Sequence, residues 1–102
     1  MPKWHDVADA VDVKEDEIFV GVVQGLQIAL FNLGGEVFAL EDLCSHGGAR
    51  LSDGYVDGGC VECPLHQGLI DIRTGNPCLA PITEPVRSFP VRVSGSRIEI
   101  EL

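Results

Sequence analysis

Apolar and polar positions alternate in short runs along this chain, and most runs stop at glycine. The C-terminal stretch is the clearest. Ile98, Ile100 and Leu102 alternate with Arg97, Glu99 and Glu101, the two-residue period of a strand with one buried face. Phe89 to Val93 is expected to pair with it across Ser94-Gly95-Ser96. Upstream, Glu17 to Val23 is rich in β-branched and aromatic residues and ends at Gln24-Gly25. Leu26 to Phe31 comes next, and Gly34-Gly35 turns the chain into Glu36 to Leu40 as a hairpin. Asp9 to Asp16 is acidic and suits a loop or one helical turn. The pattern predicts an all-β fold in one domain spanning residues 1–102.

From Leu43 to Pro81 the pattern changes. Glycines become frequent, and all four cysteines and two of the three histidines fall here. Strands are expected to be brief: Tyr55 to Val56, Val61 to Glu62 and Leu69 to Ile72. Residues 43–81 therefore read as a site-bearing subdomain inserted between the strands of a small antiparallel β-sandwich or barrel. Pro77, Pro81, Pro85 and Pro90 argue against helix in the chain beyond Gly75.

Charge narrows the choice of partners. Sixteen acidic against seven basic residues give a formal net charge of -9. Such a field repels phosphate, so nucleic acid and anionic membranes are not expected partners, whereas a basic protein face is attracted. No apolar run approaches the roughly 18 residues of a membrane span, and the first residues lack a signal-peptide stretch, so a cytoplasmic location is expected. In that setting four cysteines point to metal or redox use before structural disulfides. A chain of 102 residues also gains from a metal staple.

Two clusters carry the chemistry: Cys44-Ser45-His46-Gly47 and Cys63-Pro64-Leu65-His66. The spacing is C-x-H, sixteen residues, then C-x-x-H. Each cluster offers one thiolate and one imidazole. Together they suit either a tetrahedral Cys₂His₂ zinc site or a [2Fe–2S] cluster in which two histidines replace two cysteines on one iron. Ligand type alone leaves both open. Zinc knuckles usually pair like with like, C-x₂₋₄-C with H-x₃₋₅-H. Here each loop mixes Cys and His, which suits a binuclear cluster whose irons differ in ligation. Gly47, Gly48, Gly54, Gly68 and Gly75 crowd the ligands, and their N–H groups are expected to donate to sulfur.

The run Cys44-Ser45-His46-Gly47-Gly48-Ala49-Arg50-Leu51-Ser52-Asp53-Gly54-Tyr55, with Glu62-Cys63-Pro64-Leu65-His66-Gln67-Gly68 after it, resembles the Rieske-type ferredoxin components of bacterial aromatic-ring-hydroxylating dioxygenases of the naphthalene and biphenyl type. The resemblance implies a Rieske fold, with two small antiparallel sheets and a cluster-binding subdomain at one end. It implies one [2Fe–2S] cluster, with Cys44 and Cys63 on the buried iron and His46 and His66 on the outer iron. It also implies a one-electron carrier and no catalysis. An NAD(P)H-dependent flavin reductase would supply electrons, and the Rieske domain of a terminal oxygenase would receive them. A monomer is expected. Which aromatic substrate the system takes is set by the oxygenase.

Departures from other Rieske classes sharpen the expectation. Respiratory Rieske proteins tie their two loops with an extra disulfide; Ala49 and Leu65 stand at those positions here. Gly68 and Ile70 replace a serine and a tyrosine that donate to the cluster region. Fewer donors to sulfur mean a potential near the low end of the Rieske range, about -150 mV. No histidine pair with a carboxylate remains for a mononuclear iron site, since His5 is the only other histidine. The rivals are a small Rieske-like subunit of a nitrite reductase, a zinc-binding interaction module and a redox sensor. Cys60 and Cys78 are expected to be spare, partly buried residues. Trp4 is expected to pack in the core or at an edge, and the Pro81–Pro85 stretch to cover one side of the site.

Overall fold

The computed structural model describes residues 3–44, 48–64, 68–79 and 84–102. Strands β1 (Trp4–Asp9), β10 (Val91–Ser94) and β11 (Arg97–Glu101) form one sheet in the order β1-β11-β10. Strands β2 (Ile18–Val23), β3 (Leu26–Leu33), β4 (Glu36–Glu41) and β9 (Ser88–Phe89) form a second in that order. Strands β5 (Tyr55–Asp57), β6 (Cys60–Glu62), β7 (Leu69–Asp71) and β8 (Pro77–Leu79) form a third. All neighbouring strands in these sheets run antiparallel. Ala10–Asp12 and Leu51–Asp53 form short 3-10 turns, and no α-helix occurs among the described residues. The fold is all-β, as the alternation predicts.

The second sheet is the middle layer, and β3 is its spine. Ile28, Ala29, Leu30 and Phe31 are all buried. A strand points successive side chains to opposite faces. Ile28 and Leu30 accordingly join one core with Ala39, Ile98 and Ile100. Ala29 and Phe31 join a second core with Leu40, Val61, Ile70 and Ile72. Burial on both faces erases the two-residue period, which is why this segment reads as a continuous apolar run. β11 faces only one core, so its alternation survives: Ile98 and Ile100 are fully buried beside the partly exposed or exposed Arg97, Glu99 and Glu101.

The strand expected over Phe89 to Val93 is two strands in different sheets. Ser88–Phe89 pairs with β4, whereas Val91–Ser94 pairs with β11. Pro90 lies between them and lacks the N–H that a continuous ladder needs. β1 was not evident from the sequence pattern. It runs antiparallel to β11, and the register slips between Asp6 and Ala8, which breaks the alternation. Trp4 takes the edge-packing role, half-buried on this strand with the Arg92 guanidinium 4.4 Å from its ring centroid. Arg97 closes the other end of the strand by donating from Nε and Nη2 to the two Asp6 carboxylate oxygens at 2.8 and 2.6 Å. That hydrogen-bonded contact holds the Asp6 carboxyl below its ordinary range.

The third sheet falls in the chain between β4 and β9. It meets the middle sheet through the core that contains Cys44 and Cys63. Truncating a side chain in the first core tests the layering. Ile98→Ala should lower unfolding free energy by about 2–5 kcal/mol in urea titration. Val93→Ala, at a half-exposed position in the edge strand β10, should change it by no more than about 0.5 kcal/mol.

Candidate metal centre

Cys44 and Cys63 stand nineteen positions apart in sequence, yet both enter the same buried cluster. Their exposures are 2% and 0%. Leu51, Val61, Ile70, Ile72 and Val86 surround them in that cluster. Ile70 is fully buried there, so the position that carries a tyrosine in respiratory Rieske proteins is an apolar wall in this chain.

The two cysteines open loops closed in the same way. The Cys44 N–H donates to the Ala49 carbonyl at 2.7 Å, and the Cys63 N–H donates to the Gly68 carbonyl at 2.8 Å. Each bond spans five residues, so the two loops match in length although their x spacings differ. His46 and His66, with Ser45, Gly47, Leu65 and Gln67, lie outside the described residues. Of the expected ligands, the structure therefore brings together the two cysteines. Among the described residues no group of three or more His, Cys, Asp and Glu side chains assembles to hold a metal ion. His5 sits opposite Ile100 in the first sheet, on β1.

Two glycines let the loops approach their supports. β5 and β6 pair with Tyr55 opposite Glu62, so Gly54 stands one step before that ladder and Cys63 one step after it. A Cβ on Gly54 would run into the Glu62 carbonyl oxygen and carbon. Gly75 has φ +80°, and a Cβ there would meet the Val86 carbonyl. The Val86 N–H in turn donates to the Gly75 carbonyl at 2.8 Å, which fixes the start of the return path to β9. The N–H groups of Gly54 and Gly75 donate to the Leu51 and Asp71 carbonyls. These two glycines thus serve close backbone approach rather than the donation to sulfur expected of them. Gly47 and the Pro81–Thr83 part of the proline stretch lie outside the described residues.

Asp42 is a positioning residue that the motif does not reveal. It is buried at 3% exposure, two residues before Cys44. Its Oδ1 accepts from the Ser52 N–H and its Oδ2 accepts from the Ser52 hydroxyl, both at 2.7 Å. Its own N–H donates to the Gln27 carbonyl at 2.9 Å. The carboxylate thereby ties the two ends of the first loop together, and the backbone N–H fixes them to the middle sheet. The sequence signal is an acidic residue directly after the apolar strand β4, with a serine just beyond the loop.

Comparison with known proteins places this arrangement. Residues 3–90 match the family model described as Rieske [2Fe-2S] domain. The anthranilate 1,2-dioxygenase ferredoxin subunit of Burkholderia cepacia is 54% identical over 102 residues, covering 100% of this chain and 94% of that protein. The Sphingomonas yanoikuyae B1 ferredoxin superposes with a TM-score of 0.93 at 34% identity, covering 98% of this chain and 99% of that one. A chain in the complex of reduced oxygenase and oxidized ferredoxin in carbazole 1,9a-dioxygenase gives 0.87 at 35% identity, covering 95% and 91%.

Removing the Asp42 carboxylate tests the clamp. Asp42→Ala leaves the Ser52 N–H without its buried acceptor and should cost about 1–3 kcal/mol in denaturant titration. Asp42→Asn keeps one acceptor and should recover at least half of that loss. Equal losses in the two variants would contradict the clamp.

Proposed function

Because the chain belongs to the Rieske [2Fe–2S] domain family, we propose that it is a one-electron carrier serving the terminal oxygenase of an aromatic-ring-hydroxylating dioxygenase system. The observation that carries this role is the pair of buried cysteines opening two equivalent loops in one core. Two thiols in a dry, apolar setting suit the sulfur-bound iron of a Rieske cluster. In this assignment Cys44 and Cys63 hold one iron and His46 and His66 the other, with residues 43–81 as the cluster-binding subdomain. The bound cluster supplies a one-electron couple.

The rest of the chain holds and presents that group. The Asp42–Ser52 clamp fixes the first loop, and the tight passage at Gly54 sets the second beside it. Ile70 and Val61 keep water from the cysteine side. Gly68 and Ile70 stand where respiratory Rieske proteins carry hydroxyl donors, which supports a potential near the low end of the Rieske range, about -150 mV. A flavin reductase fed by NAD(P)H is the assigned donor, the protein acts as a monomer, and the cytoplasm is the assigned compartment. With a net charge of -9, the carrier is suited to fast, weak encounters with basic faces, through an interface below about 1,200 Å².

Stopped-flow mixing tests the role. The reduced protein, mixed with the oxidised terminal oxygenase of an anthranilate or naphthalene system, should be reoxidised by one electron per chain. The rate should fall about tenfold or more as ionic strength rises toward physiological values. Cys63→Ser should abolish the visible chromophore and the transfer. Isolation of the protein only as a permanent subunit of a larger reductase would overturn the shuttle.

A further inference from the structure

Cys60 and Cys78 lie outside the two ligand loops, and the fold brings them together. Cys60 begins β6, three residues before Cys63. Cys78 is the middle residue of β8, the outer strand of the third sheet. β7 separates the two strands, with Asp71 opposite Cys60. The β7–β8 register jumps between Leu69↔Leu79 and Ile70↔Pro77, which leaves Cys78 as the extra, bulged residue. The bulge leans its side chain across β7, and the two Sγ atoms stand 3.3 Å apart. That is closer than two sulfurs rest in ordinary van der Waals contact.

The two thiols differ in character. Cys60 is half-buried. Burial first, then the hydrogen bond and charge of Cys78 and the charges of Asp71 and Asp57, push its thiol up to about 11. Cys78 is exposed on an edge strand and is open to solutes. A small oxidant therefore meets Cys78 first, while Cys60 waits within reach.

We propose that Cys60 and Cys78 form a reversible dithiol–disulfide modification site that responds to low-molecular-weight disulfides and is separate from the metal-binding cysteines. In the first step the Cys78 thiolate attacks the small disulfide. A Cys78–S–S bond to one half forms, and the other half leaves as a thiol after taking a proton. In the second step the Cys60 sulfur, giving up its proton, attacks the Cys78 sulfur. The Cys60–Cys78 bond forms and the second half leaves as a thiol. Both protein sulfurs are oxidised by one electron each, and the small disulfide is reduced to two thiols. Bonding at about 2.0 Å requires the sulfurs to close by a little over 1 Å, which a bulged edge strand can supply. The product staples β8 to β6 across β7, next to the strand that leads into Cys63. An exposed disulfide of this kind is easily reduced again.

The test uses the cluster-loaded protein incubated with glutathione disulfide, then alkylation, intact mass measurement and peptide mapping. The wild type should lose two hydrogens, retain no glutathione, yield a linked Cys60–Cys78 peptide and regain its mass with excess thiol. Its visible spectrum should not change, and its thermal midpoint should rise. Cys60→Ser should instead keep one glutathione on Cys78, and Cys78→Ser should show neither change. Stable glutathione on Cys78 in the wild type, a dimer linked through Cys78, a link involving Cys44 or Cys63, or no reaction would each overturn the site.

Discussion

The Cys44 and Cys63 N–H groups each reach five residues ahead to a carbonyl, and both cysteine side chains lie in one apolar core beneath those bonds. Burial fixes where the sulfurs sit, and the hydrogen bonds fix how the chain leaves them. The remaining features of the subdomain serve this constraint. The third sheet exists as a separate layer because it must carry the second loop and supply Val61, Ile70 and Ile72 to that core. The middle sheet must then be apolar on both faces, since it closes this core and the one beneath it.

Close contact between loops sets the next requirement. Polar backbone is brought into a dry region only where each group has a partner. The Asp42 carboxylate provides two acceptors for Ser52, and the Asp42 backbone N–H donates to the Gln27 carbonyl. Among the described residues, no buried side-chain nitrogen or oxygen lacks a partner. Gly54 and Gly75 complete the fit by removing side-chain bulk where carbonyls pass. A carrier that cycles between two charge states benefits from such a frame, because its surroundings need not rearrange at each step.

Much of this was legible in the residues. The β2–β3–β4 meander and the β10–β11 hairpin arise from apolar runs and glycine turns, and the ligand pattern rests on two short motifs. What escaped has physical reasons. β1 hides because its register slips at Asp6 and Ala8. β8 hides because it begins with Pro77 and two of its three residues are exposed, the signature of an edge rather than of a core strand. Pro90 divides a run that looks continuous. Cys78 was expected to be partly buried but is exposed, because it occupies a bulge. The Asp42–Ser52 clamp joins residues ten apart, and no local pattern announces such a pair. The roles of His46 and His66 rest on sequence and family, since both lie outside the described residues.

Both iron-binding and zinc-binding proteins use two cysteines with two histidines, so the decisive property is the electronic state of the bound metal. Electron paramagnetic resonance on the protein reduced with dithionite reads that property directly. A rhombic signal with an average g below the free-electron value, as mixed Cys/His ligation gives, is the expected result. A colourless, silent protein holding stoichiometric zinc would contradict the carrier role at its root.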